Sequence, residues 1–313
     1  MADDLGSWRD TATRRAVLEF VAEVSDVDGP GYVPPSGRVA VFDNDGTLWC
    51  ESPAQVQMDF ILRRLAAMAG DDPALRTQQP WQAAFGNDLA WFGEALTRHY
   101  DGDDSMVAPF LGGVLSAFGA MSVDDFARQA ADFLQQARHP SLGIGYLETA
   151  YAPMVELLGY LEANSFTNYI VSGGGRDFLR PVSEALYGIP PERVIGSAVK
   201  LSVKTGDREV TVLREPALDV IDDGPAKVVG IWEHIGRVPV FAAGNSNGDI
   251  PMLQYTASDP RRGFGMLINH DDAGREFAYT AGAEQALDSA RDNGWTVVSM
   301  RNDWSRVLAA TRA

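Results

Sequence analysis

The sequence predicts an α/β fold: a parallel sheet with helices on both faces, interrupted after its first strand by a helical insertion. Three observations carry this. Short apolar runs such as RVAVFD at 38–43 alternate with helix-length amphipathic stretches, the pattern of strands covered on both faces. Between residues 52 and 149 the strand-like runs vanish and helical patterns follow one another. Three of the expected strands end in polar, glycine-rich pieces, and open parallel sheets collect ligands at such ends.

Taken in order, residues 7–24 space their apolar side chains as an amphipathic helix, and DGPGYVPPSG after them reads as a loop. RVAVFD is the first strand. Inside the insertion, VQMDFILRRLAAMAG, PWQAAFGNDLAWFGEALTRHY and SVDDFARQAADFLQQA read as helices divided by turns such as GDDP and DGDDS. Beyond it, Met154, Leu157, Leu158 and Leu161 mark a helix that leads into the strand TNYIVSGGG. Val228, Ile231, Trp232 and Ile235 mark another, leading into VPVFAAG. GFGMLIN and WTVVSM are further strands, and residues 193–216, alternating around KTGD, predict a small antiparallel excursion. The expected division is a core of 1–51 and 150–313 and an insertion of 52–149.

Composition narrows the function. A net charge of −17 opposes general binding to nucleic acid and to anionic membrane surfaces. Any anionic substrate then needs cations gathered locally. The one cysteine, Cys50, requires no oxidising compartment. No apolar run approaches the roughly 20 residues of a membrane span, so a soluble cytoplasmic protein is the expectation.

The three strand ends are FDNDGT (42–47), VSGGGRD (171–177) and AGNSNGD (243–249), and Lys227 begins the helix before the third. Asp43 and Asp45 at alternate positions beyond a strand suit a nucleophile and a general acid/base. Ser172 with Gly173 and Gly174 offers a hydroxyl and N–H groups to phosphate oxygens. Asn245 and Asp249 are oxygen ligands four residues apart, able to face one cation. Read singly, each piece is also a turn or a helix entry, and Lys200 and Lys204 rival Lys227. Arg63, Arg64, Trp91 and His99 in the insertion read as solvated charges and core aromatics, and His139, His234 and His270 lack metal-ligand spacing.

Together these motifs resemble the haloacid dehalogenase superfamily, specifically its phosphatases of the phosphoserine-phosphatase-like branch. DNDGT resembles the first motif, DxDGT. Ser172, Lys227 and GNSNGDIPML resemble the second, third and fourth. The resemblance implies a Rossmann-like core and identifies the insertion with a cap domain. It implies that Asp43 attacks phosphorus to give an aspartyl phosphate, and that Asp45 protonates the leaving oxygen and then activates water. It assigns Mg²⁺ to Asp43, the Asp45 carbonyl, Asn245 and Asp249, and phosphoryl contacts to Thr47, Ser172, Gly173 and Lys227, with Arg176 added from its place just after the phosphate loop. A small phosphorylated substrate follows. A phosphotransferase or mutase shares the same intermediate, whereas a dehalogenase has no use for Asp45, since a halide leaves without a proton. A silent phospholigand-binding module is a further alternative, encouraged only by Asn245.

Two positions depart from the pattern. Asn245 stands where the fourth motif usually begins with aspartate, so its replacement by Asp is expected to tighten Mg²⁺ binding. The acidic residue used in that branch for the substrate amine lies nine positions past the nucleophile, where this sequence has Ser52, with Glu51 beside it.

Overall fold

The computed structural model describes residues 5–100, 103, 105–206, 209–258 and 263–309, apart from the side chains of Leu96, Thr97, His99 and Tyr100. It is an α/β protein built on a seven-stranded sheet of order β4-β3-β2-β1-β5-β6-β7. The strands are β1 (Val39–Phe42), β2 (Thr167–Gly175), β3 (Val194–Thr205), β4 (Val210–Val220), β5 (Phe241–Gly244), β6 (Phe264–Asn269) and β7 (Thr296–Ser299). β1 pairs in parallel with both β2 and β5, β2 with β3, β5 with β6 and β6 with β7. β3 and β4 are sheet neighbours, with Gly206 N–H on the Glu209 carbonyl between the end of one and the start of the other. Only an antiparallel pair allows so short a connection, which is the excursion expected around KTGD.

The chain forms two compact units, one of 1–53, 134–197 and 220–313, the other of 54–133 and 198–219. The first holds the parallel sheet and its helices. All four residues of β1 are buried, as a central parallel strand requires. Phe42 lies 5.5 Å from Phe241, centroid to centroid, and Phe20 packs on Phe241 and Phe264 at 6.1 and 5.0 Å. Sheet order reverses at β1: the chain moves outward through β2 and β3, then returns to β5 on the other side. The carboxyl ends of β2, β1 and β5 therefore meet at the switch point, where ligands bind in such sheets.

The second unit is helical with one hairpin. Phe60 stacks on Phe118 at 5.1 Å and packs on Phe126 and Phe133 at 5.9 and 5.2 Å. Its span overlaps the expected 52–149 without coinciding with it. Residues 198–219 join it because Arg214 exchanges backbone hydrogen bonds with Ala120 and Met121 and lays its guanidinium 3.9 Å from the Phe126 ring centroid. Residues 134–149 join the first unit because Cys50 N–H donates to the Thr149 carbonyl and His139 Nε2 sits 2.7 Å from the Ser52 carbonyl.

Three elements differ from their sequence reading. The first helix is Ala12–Ser25, beginning after Thr11, whose hydroxyl caps Arg14 N–H and ends the pattern read from residue 7. The stretch 80–100 is two helices, Trp81–Phe85 and Leu89–Tyr100, divided where Asn87 takes φ +53. In the helix Pro225–Ile235 the buried residues are Lys227 and Ile231, and Trp232 of the expected apolar stripe is 58% exposed. That helix turns its inward face to a charge.

Candidate active site

The loop after β1 is closed by its own backbone. The Asn44 carbonyl accepts from Thr47, Leu48 and Trp49, and Gly46 N–H donates to the Trp49 carbonyl at 2.9 Å. Gly46 holds φ +75, open to glycine without the strain a Cβ brings. The turn projects Asp43 and Asp45 in different directions. Asp43 Oδ1 accepts from Lys227 Nζ at 2.7 Å, while Asp45 Oδ1 accepts from the Trp49 indole at 2.6 Å.

Lys227 is 2% exposed and also donates to Asp249 Oδ1 at 2.6 Å. Burial alone pulls its ammonium down, but Asp249 and Asp43 outweigh that and hold it above the ordinary lysine value. Burial is likewise the largest influence on Asp43, raising it together with Asp249 against the pull of Lys227. Asp45 is pushed up to about 6, chiefly by burial, although the Trp49 hydrogen bond opposes the rise.

Asp249 is held by Lys227 on one side and by the loop after β5 on the other. Its Oδ1 is spent on Lys227, and its Oδ2 accepts Asn245 N–H, Ser246 N–H and Ser246 Oγ at 2.9, 3.0 and 3.2 Å. It positions the lysine and shapes the loop after β5. Asn245 and Thr47 do converge on Asp43: Thr47 Oγ1 lies 3.1 Å from Asn245 Oδ1 and 3.4 Å from Asp43 Oδ2. One hydroxyl proton faces two acceptors there, so one buried oxygen goes unserved whichever way it turns. Paired hard oxygens of this kind suit Mg²⁺. Among the described residues no three His, Cys, Asp or Glu side chains gather as a metal group. The oxygen donors on hand are the carboxylates of Asp43 and Asp249, which share Lys227, the Asn245 amide and backbone carbonyls.

Ser172 is fully buried and its Oγ accepts Gly174 N–H at 3.0 Å. Gly173 is exposed at the strand end, and Ser197 Oγ ties its carbonyl, at 2.7 Å, to the Asp222 N–H that precedes the lysine helix. Arg176 begins the helix that follows the Ser172 strand end. Its Nε faces Asp177 at 3.7 Å, and no described contact joins it to Asp43, Ser172 or Lys227. Arg63 is paired with Asp59, Arg64 donates to the Ala117 carbonyl, and Trp91 packs edge-on to Phe92; the His99 side chain lies outside the described residues.

The structure adds side chains that the sequence reading left without a role. His270 Nε2 sits 2.8 Å from the Gly46 carbonyl and its Nδ1 3.3 Å from Glu276 Oε2. Its ring stacks on Tyr279 at 4.4 Å. Trp49 was within reach of sequence reasoning, four residues past Asp45. His270 was not, since nothing local links it to Gly46.

Comparison with known proteins now bears on this arrangement. Residues 40–254 match the haloacid dehalogenase-like hydrolase family. The chain belongs to that family. No curated protein matches this haloacid dehalogenase-like hydrolase. Among solved structures, it resembles a conserved, functionally unknown protein from Anaerococcus prevotii DSM 20548, with 15% identity, 96% of this chain and 94% of that one covered, and a TM-score of 0.58. That likeness bears on the fold. It also matches a protein of unknown function from Bordetella pertussis Tohama I (16% identity, 83% and 97% covered, TM-score 0.49). A phosphoserine phosphohydrolase-like protein from Francisella tularensis subsp. tularensis SCHU S4 matches at 15% identity, 74% and 88% covered, TM-score 0.36. The matched span contains Asp43, Asp45, Ser172, Lys227, Asn245 and Asp249.

Proposed function

We propose that this hydrolase is a Mg²⁺-dependent phosphomonoesterase working through an aspartyl phosphate on Asp43. The observation that carries the reading is the different tethering of the two carboxylates. Lys227 holds Asp43 by Oδ1, leaving Oδ2 as the attacking oxygen, while Trp49 holds Asp45 apart from that pair. One carboxylate is set to attack and the other to move protons.

In the first half-reaction Asp43 Oδ2 forms a bond to phosphorus as the ester P–O bond breaks, and Asp45 gives its proton to the leaving oxygen. In the second, Asp45 takes a proton from water, whose oxygen attacks phosphorus and breaks the bond to Oδ2. Inorganic phosphate leaves and both carboxylates are restored. An Asp45 carboxyl raised to about 6 supplies both protonation states near neutrality. Lys227 spends two of its three N–H donors on Asp43 and Asp249, which leaves one for a phosphoryl oxygen. Ser172 and the N–H groups at Gly173 serve the others. Asp43, the Asp45 carbonyl, Asn245 and Asp249 would hold Mg²⁺, which would neutralise phosphoryl charge.

The substrate on this reading is a small phosphorylated metabolite, and the unit of 54–133 and 198–219 acts as the cap that selects it. A cytoplasmic setting and the phosphoserine-phosphatase-like branch accompany the same reading. Phosphate release over a panel of small phosphate esters, with and without Mg²⁺, tests it on wild type and Asp43→Asn. Turnover at the wild-type rate in Asp43→Asn would overturn the mechanism.

A further inference from the structure

The neutral Asn245 is backed by a carboxylate. Its Nδ2 donates to Glu51 Oε1 at 2.8 Å, and Tyr279 Oη donates to the same oxygen at 2.7 Å. A carboxylate only accepts, so this contact turns the amide nitrogen toward Glu51. The amide oxygen then points the other way, 3.1 Å from Thr47 Oγ1, the hydroxyl that also approaches Asp43 Oδ2 at 3.4 Å. The contact is half-buried and packs against Gly46: a Cβ there would lie 2.1 Å from Asn245 Nδ2 and 2.5 Å from Glu51 Oε1. The loop that carries Asp43 and Asp45 closes over the pair, and Tyr279, stacked on His270, braces it from behind.

We propose that Glu51 is a positioning residue for the cation site: it orients Asn245 with its oxygen toward Asp43 and supplies, one bond-length behind, the negative charge that the amide lacks. This deepens the Mg²⁺-phosphatase reading and rests on it. A hydrogen bond from the amide N–H to a carboxylate polarises the amide and raises the electron density on its oxygen, as outer carboxylates do for metal-bound imidazoles. Glu51 Oε1 thereby accepts two hydrogen bonds within the protein. The pairing also changes what Asn245→Asp does. An aspartate in that position faces Glu51 at hydrogen-bond distance with no proton between them, so the substitution gains ligand charge and loses its support at once. It is the double variant Asn245→Asp with Glu51→Gln that restores the arrangement, with the carboxylate and the amide exchanged.

Calorimetric titration of Mg²⁺ into metal-free wild type, E51Q, N245D and the double variant, with thermal unfolding of each, tests this without recourse to turnover. E51Q is expected to bind Mg²⁺ about 10- to 100-fold more weakly, the usual loss when an outer partner of a ligand is removed. The double variant is expected to return to wild-type affinity or better, and metal-free N245D to melt below the double variant. Wild-type affinity in E51Q overturns the role of Glu51 while leaving the phosphatase reading in place; so does a double variant no tighter than E51Q. Should E51Q fail to fold, the double variant decides alone, by regaining or lacking wild-type affinity. Absence of Mg²⁺ binding in the wild type overturns the metal assignment and this inference with it.

Discussion

The loops after β1 and β5 look alike in sequence, DNDGT and GNSNGD, and use their acidic residues in opposite ways. In the first, Asp43 keeps an oxygen in reserve: its Oδ2 faces the Thr47 hydroxyl at 3.4 Å once Lys227 has taken Oδ1. In the second, Asp249 accepts four hydrogen bonds, one of them from Lys227, and the residue that shares the Thr47 hydroxyl with Asp43 is the neutral Asn245. Formal charge in a motif therefore does not by itself say how its residues are tethered.

The comparison breaks most visibly at Asp43. Asp43→Asn removes the reserve oxygen's nucleophilicity and is expected to lower phosphate release by about 10⁶-fold, the scale of losing a covalent nucleophile, while a circular dichroism melt shows the fold retained. Next comes the cation that both loops share. Lys227→Met leaves Asp43 and Asp249 buried without a counter-charge, and urea unfolding is expected to show a loss of about 3–5 kcal/mol. Stability close to wild type would mean that the two loops do not depend on Lys227.

Asp222 supplies a control, a buried carboxylate that no cation grips. It is 1% exposed, its Oδ2 has no hydrogen-bond partner among the described residues, and burial pushes it up to about 6. Because the folded pKa is raised, the folded state holds the extra proton between about pH 4 and pH 6. Stability therefore falls as pH rises through that window, and the full cost stands above it. Asp222→Asn is expected to stabilise by about 2–3 kcal/mol at pH 7.5, a gain that vanishes by pH 4. Urea midpoints at the two pH values check this, and an equal gain at both would assign it to packing. The smallest effect expected is at Trp49. Trp49→Phe removes the indole donor from Asp45 and should slow turnover about 10-fold, the value of one hydrogen bond to a charged group, with Mg²⁺ affinity unchanged by titration.

Much of the fold was legible because strands and helices leave local periodic traces. The apolar run before Asp43, the helical texture past residue 52 and the alternation around KTGD each correspond to an element. The division into units was less legible. Nothing in residues 198–219 announces that Arg214 packs on Phe126, and nothing in 134–149 that His139 reaches Ser52. In the candidate site, Asp43, Asp45, Thr47, Ser172 and Asn245 stood out by residue type at strand ends, and Lys227 and Arg176 at helix starts. Where the long Arg176 side chain points, with its Nε 3.7 Å from Asp177, was not legible, because a long side chain at a helix start has several directions open to it.

By itself the sequence determined which chemistry is on hand: two aspartates beyond a buried strand, a serine with glycines, a lysine and an amide, each on a predictable element. Periodicity and turn chemistry act over a few residues, so those choices are local and readable. Only the tertiary structure decided which oxygen of each carboxylate is spent. Lys227 meets Asp43 across 184 positions, Glu51 meets Asn245 across 194 and Tyr279 across 228. Such contacts are set by sheet order and loop closure, and have no periodic signature in the chain.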